Sequence, residues 1–197
     1  MKRKICVKTI TLIAFGISIN IIGAFIAMGL RLPVYLDSIG TIMIASLLGP
    51  KYAVVTGVFG SLISGITFDL YSLYFAPVQI STGLLAGIAF KKNFLRGLKT
   101  PLGVLLFAIP TSIISSIISA FLFGGMTSSG SSYIVQILKV LGLGDVFSVF
   151  VTQIFTDYAD KLLAVVLVNL GLNAVSKNFK GVIDWRKIDI KWIDIVK

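Results

Sequence analysis

"LRLPVYLDSIG", Leu30 to Gly40, sets an arginine, a proline and an aspartate between two apolar runs. Upstream lies TLIAFGISINIIGAFIAMG (residues 11–29) and downstream TIMIASLLG (residues 41–49). Such a break either turns the chain between two membrane helices or forms part of a mouth that recognises a ligand. Both readings need the flanking runs to lie in lipid, and the composition agrees. Of the 197 residues, 56% are hydrophobic and 13% charged, with a mean hydropathy of +0.99. The charged share is about half that of ordinary soluble domains. A soluble protein this small cannot hide so much apolar surface in a core, so lipid is part of the solvent.

Several function classes fall away on composition alone. A net charge of +10 would favour nucleic acid only with a basic face on a soluble fold, whereas here the basic residues form short clusters between apolar runs. The chain has one cysteine, Cys6, and neither histidine nor glutamate. An internal disulfide is impossible, and zinc sites of the Cys/His type lack ligands. Serine–histidine and cysteine–histidine catalysis are excluded in the same way. No Walker A sequence occurs, so ATP cannot bind by that route. The expectation is a protein that is not an enzyme and has no cofactor or metal. The start, MKRKICVKTITLIAFGISINIIGAFIA, has the basic region and apolar stretch of a secretory signal. Its apolar run, Ile10 to Leu30, exceeds a signal core, so it reads as a first transmembrane helix.

Crossing the hydrocarbon core takes about 20 apolar residues in a helix. The spans read as Thr9–Leu30, Leu36–Gly49 (short, tilted or only partly crossing), Tyr52–Phe68, Phe75–Phe90, Pro101–Gly125 and a sixth within Phe147–Val175. With the N-terminus inside, 15 of the 18 basic residues fall on the cytoplasmic side, leaving Arg31, Lys139 and Lys161 outside or within a span. The expectation is an all-α integral membrane protein with six transmembrane helices and both termini cytoplasmic. Residues 1–178 form the membrane domain. Residues 179–197 form a basic tail in which Trp185, Ile188, Trp192 and Ile195 recur at helical spacing, as in an interfacial helix.

Asp37, Asp69, Asp145, Asp157 and Asp160 fall in the outer loops or the outer half of the sixth span. Ionisable groups at that depth are expensive and mark function or a structural clasp. Asp157 and Lys161 are i,i+4 neighbours and can pair along the helix, with Arg31 as a third member and Asp160 on an adjacent face. Tyr35, Tyr71, Tyr74 and Tyr133 lie near the same level, either as an interfacial belt or as rings for stacking on a planar ligand. Gln79 and Gln153, with Asn20, Thr41 and Thr82, can supply polar contacts at the floor of a site. Small residues recur at helical spacing in four spans, Ala14/Ser18 and Gly23/Ala27 in the first among them, and let helix backbones approach closely.

The segment LRLPVYLDSIGTIMIASLLGPKYAVVTGVFGSLISG resembles the substrate-binding S component of energy-coupling factor transporters. A late run, DYADKLLAVVLVNLGL, is similar to the final helix of such proteins, closest to their riboflavin- and cobalamin-type branch. The resemblance covers roughly residues 8 to 178. It implies a six-helix protein of the bacterial plasma membrane that binds a vitamin or related micronutrient from outside. Its partners would be a transmembrane coupling subunit and two cytoplasmic ATPases. It also implies that a small-x-x-x-small row on the first helix meets the coupling subunit. Ala14 and Ser18 fit that row, with serine where alanine is common. Ligand candidates are then Arg31, Tyr35, Asp37, Tyr71, Tyr74, Gln79, Tyr133, Gln153, Asp157, Asp160 and Lys161. Five outer aspartates against three basic residues lean towards a neutral or cationic ligand. Riboflavin, cobalamin, thiamine and B6 vitamers all stay open. A membrane sensor module and a small stand-alone transporter or channel are the rival readings.

Overall fold

The computed structural model describes residues 7–95 and 97–178. Lys2, Arg3, Lys4, Cys6 and Arg96, and the tail of residues 179–197, lie outside the described residues. Among the described residues eight α-helices run in chain order: α1 (Val7–Gly29), α2 (Ile39–Leu47), α3 (Pro50–Thr67), α4 (Leu70–Tyr74), α5 (Ala76–Lys91), α6 (Thr100–Phe123), α7 (Ser131–Val140) and α8 (Asp145–Asn178). A single 3-10 turn, Gly97–Lys99, precedes α6, and no strand occurs among the described residues. Prolines stand in the first turns of α3, α5 and α6, where a missing N–H costs no helical bond.

Two helical segments, Val7–Gly29 and Gly97–Phe123, are long and apolar enough to cross a membrane. The expected spans coincide with the long helices to within a few residues. α2 is the exception, because nine residues cover only about 14 Å at 1.5 Å each, less than half a hydrocarbon core. Two shorter elements were not anticipated. α4 occupies the middle of FDLYSLYF, and α7 lies in the polar stretch before the last long helix.

The bundle is apolar outside and partly polar inside. Phe15, Ile22 and Phe25 of α1, Phe59 and Ile66 of α3, Leu106 and Ile117 of α6, and Phe155 and Leu170 of α8 face outward. Asn20, Thr41, Gln79, Thr82 and Gln153 are almost wholly enclosed. Within the bundle the polar and apolar residues separate into two layers. The apolar layer joins Ile42, Ile44, Ala53, Ala86, Phe90, Val104, Phe107, Ala164 and Val165. The polar layer begins within one turn of it on α2, α5, α6 and α8, at Thr41, Thr82, Thr111 and Lys161. The connections α1–α2, α3–α5 and α6–α8 gather at the polar end. There Gly130 N donates to Leu32 O at 2.9 Å, and Ser128 Oγ donates to Asp69 Oδ2 at 2.9 Å.

Close backbone approach of α1 and α2 sets the polar layer in place. Gly16 and Gly40 face each other, and a methyl group on Gly40 would overlap the Gly16 carbonyl. Asn20, one turn on, uses that closeness: its Oδ1 accepts from Gly40 N at 2.7 Å and Thr41 N at 3.2 Å. Gly40→Ala is therefore expected to destabilise the fold by about 1–3 kcal/mol, since a backbone carbonyl cannot step aside as a side chain can. Thermal unfolding in detergent micelles measures this, and an unchanged midpoint would refute the close-approach argument.

Candidate ligand-binding site

The buried face of α8 repeats every turn as Thr152/Gln153, Thr156/Asp157, Asp160/Lys161 and Ala164/Val165. Its polar half therefore points into the bundle directly above the apolar layer. α6 presents Thr111, Ser112, Ser115, Ser116 and Ser119 towards the same space. α5 adds Gln79 and Thr82. The α1–α2 loop, held over the top, adds Tyr35 and Asp37.

That loop is bent by two non-glycine residues in the left-handed region, Arg31 (φ 51°) and Leu36 (φ 54°). Such a backbone persists only where its surroundings over-determine it. Asp160 does so for Leu36, accepting from Leu36 N at 2.7 Å through Oδ1 and from Ser38 Oγ at 3.1 Å through Oδ2. Lys161 Nζ donates to the same Oδ2 at 3.1 Å, and both side chains are almost wholly buried. A second tether runs through α5. Asn20 Nδ2 donates to Thr41 Oγ1, which donates to Gln79 Oε1, and Gln79 Nε2 donates to the Asp37 carbonyl.

Between these elements lies a narrow cavity of about 400 Å³, a volume that includes open solvent. Tyr35, Asp37, Tyr71, Gln79, Asp157 and Lys161 line it, all six expected from the sequence. It is joined by Asp69, Ser72, Phe75, Val78, Ser115 and Ser128, which were not singled out as ligand contacts. Asp69 Oδ2 accepts from Ser72 Oγ at 2.8 Å and from Ser128 Oγ, so one carboxylate oxygen ties the α4 segment to the α6–α7 connection across the rim. Tyr35 sits between hydroxyls, with Thr127 Oγ1 at 3.3 Å and Ser131 Oγ at 3.4 Å.

The other five expected residues lie off the cavity wall. Arg31 bonds the Tyr133 hydroxyl at the surface, so the clasp of Asp157, Lys161 and Arg31, the structural alternative to a ligand site, does not form. Tyr133 and Tyr74 are each nearly half exposed, Tyr74 packing edge-on against Phe123 at 5.4 Å between ring centroids. Gln153 is enclosed behind Tyr35, donating to its hydroxyl at 3.5 Å. Asp160 is buried beneath the loop that it holds. Lys161 pairs with Asp160 rather than with its i,i+4 neighbour Asp157, because the loop draws the Asp160 carboxylate to the same point.

Asp37 shares this enclosed space with the Lys161 ammonium and the Asp160 and Asp157 carboxylates. Among the described residues, five buried side-chain oxygens of the polar layer have no hydrogen-bond partner: Thr82 Oγ1, Ser116 Oγ, Ser119 Oγ, Gln153 Oε1 and Asp157 Oδ2. Buried polar atoms are normally paired, so this concentration sets the layer apart from an ordinary bundle core.

No protein-family model, curated protein or solved structure matches the chain. Among the described residues no group of three or more acidic or cysteine side chains is arranged to hold a metal ion. The arrangement offers hydrogen-bond acceptors, hydroxyls and three aromatic rings around one ammonium group. That is the equipment of a recognition site, in which a few polar groups orient a ligand against apolar walls.

Proposed function

We propose that this chain is the membrane-embedded substrate-binding subunit of an energy-coupling factor importer. It takes a vitamin-like nutrient from the outer face of the bacterial plasma membrane. It then passes the nutrient on through a coupling subunit and two cytoplasmic ATPases. The observation that carries this reading is the cavity itself. Its wall includes Tyr35 and Asp37, from the same segment that carries the resemblance to S components.

In this reading α1, α3, α5, α6 and α8 each cross the bilayer, and α2 with its preceding loop makes the remaining passage. The apolar exterior of all five long helices supports it. So does the charge distribution. Lys51, Lys91, Lys92 and Lys99 stand at the end opposite the cavity, as the positive-inside tendency requires of a cytoplasmic face. α1 then has two jobs on two faces. Gly16, Asn20 and Gly23 turn inward, while Ala14 and Ser18 are exposed and free to meet a partner.

Binding and transport should therefore separate on mutation. Ala14→Trp and Ser18→Trp place a large ring where two membrane helices would need to approach closely. Each variant is expected to fold and to retain whatever small molecule co-purifies with the parent. ATP-dependent uptake into vesicles holding the coupling and ATPase subunits should fall to background. Concentrative uptake by the isolated chain, or full uptake by both variants, would overturn the assignment.

A further inference from the structure

Charge, counted group by group around the cavity, narrows the kind of molecule it holds. Among the described residues Lys161 is the single ammonium on the wall, and Asp160 already engages it at 3.1 Å. Asp160 in turn is occupied by Leu36 N and Ser38 Oγ. Asp69, at the rim, accepts two hydroxyls on one oxygen. Two carboxylates remain, Asp37 and Asp157, and both line the cavity. Asp157 is 1% exposed; the Ser112 and Ser115 hydroxyls of α6 stand beside its carboxylate, yet its Oδ2 accepts no well-formed hydrogen bond. A buried carboxylate oxygen without a donor is costly, so a group bringing both a proton donor and a positive charge gains on both counts. An anion would meet an ammonium already paired with Asp160 and close to two further carboxylates, Asp157 and Asp37.

The rest of the wall suits the same occupant. Tyr35 and Phe75 lie with ring centroids 6.1 Å apart, and the Tyr71 ring joins them on the cavity wall. Aromatic faces attract cations electrostatically and cover the apolar part of an organic ion.

The geometry points to a small organic cation as the occupant of this cavity. Its charged nitrogen sits against Asp157 and Asp37, and its planar or compact apolar part lies among Tyr35, Tyr71 and Phe75. This inference rests on the reading of the cavity as a substrate site and specifies the chemical class of that substrate.

Three probes of nearly equal size test the assignment on the full chain in lipid nanodiscs: benzylammonium, benzyl alcohol and benzoate. Titration calorimetry and saturation-transfer NMR at neutral pH are expected to rank benzylammonium about tenfold or more above benzyl alcohol, with benzoate unbound. Asp157→Asn should weaken benzylammonium by about tenfold while leaving benzyl alcohol within about twofold, and should melt no lower than the parent because it removes an unpaired buried charge. Asp37→Asn, in the loop, is the second variant if the first does not fold. A preference for benzoate, or equal benzylammonium affinity in the parent and the folded variants, overturns the charge assignment and leaves the cavity standing as a binding site. If none of the probes binds, native mass spectrometry of the purified chain decides. A retained molecule that is cationic at neutral pH supports the assignment, and a neutral or anionic one overturns it. Finding no retained molecule overturns the substrate-site reading and this inference with it.

Discussion

Replacing Asp160 with alanine is expected to destabilise the folded chain by about 3–5 kcal/mol, the scale of breaking a buried ion pair from one side. The side chain is 0% exposed and receives three donors: Leu36 N, Ser38 Oγ and Lys161 Nζ. Alanine would leave the Lys161 ammonium buried without its counter-ion and the Leu36 N–H without its acceptor. Leu36 stands at φ 54°, a conformation leucine seldom adopts unless held. With the holder gone, the loop should relax and carry Tyr35 and Asp37 away from the cavity. Thermal unfolding in micelles reads the stability loss, and hydrogen exchange at the Leu36 amide reads the loop directly. Asp160→Asn, which keeps one carbonyl oxygen for Leu36 N, should lose less and protect that amide better. An Asp160→Ala protein with parental midpoint and parental exchange at Leu36 would show that the loop is held by something else.

Lys161→Met is expected to cost a similar amount at neutral pH, with a different pH signature. Methionine fills much of the same space but leaves Asp160, Asp157 and Asp37 converging without a cation. Losing the nearby cation favours the protonated form of each of these buried carboxyls, Asp37 among them. The sign follows from linkage. A carboxyl whose folded value lies above its unfolded value of about 3.9 favours folding when protonated, and that contribution is lost as pH rises through the folded value. The groups facing Asp37 are Lys161, Asp160 and Asp157 from α8 and Gln79 from α5, and Gln79 does not titrate. The gap in melting temperature between Lys161→Met and the parent should therefore narrow as pH falls from about 7.5 to about 5. A gap that is constant or widens on acidification would mean that the lysine serves packing and not charge. Pairing Lys161→Met with Asp160→Leu should recover the charge cost only. The bond that holds Leu36 stays broken in the double variant, so full recovery would refute the loop-holding role of Asp160.

These expectations differ from what the sequence alone suggests about the same residues. Along one helix, Asp157 and Lys161 are the natural pair, because i,i+4 spacing brings their side chains together. Asp160 wins the lysine through a loop that is 124 residues away in the chain at Leu36 and 122 away at Ser38. Periodicity along α8 carries no record of that loop. Arg31 and Tyr133 were grouped with the site because they belong to the same level of the bundle. They meet each other at the surface instead, 102 residues apart in sequence. Ser115 is one step in a row of small residues at helical spacing on α6, Thr111/Ser115/Ser119. Its place on the cavity wall depends on which neighbours face that row, and spacing cannot report that.

What the sequence determined by itself is the local layer of this protein. Apolar run lengths placed the long helices, and prolines and glycines punctuated them. The excess of apolar residues required an apolar exterior, and polar or aromatic residues marked the three connections that gather at one end. Helical periodicity, span length and backbone punctuation act over a few residues, so they can be read without knowing the fold. Only the tertiary structure decided which of those marked residues converge. It set Tyr35, Asp37, Tyr71, Gln79, Asp157 and Lys161 around one cavity with Asp69, Ser115 and Ser128. It left Arg31, Tyr74 and Tyr133 outside and gave Asp160 the task of holding the loop. The physical reason is that a buried charge takes the partner that best offsets its loss of water, and in this fold that partner arrives from distant elements.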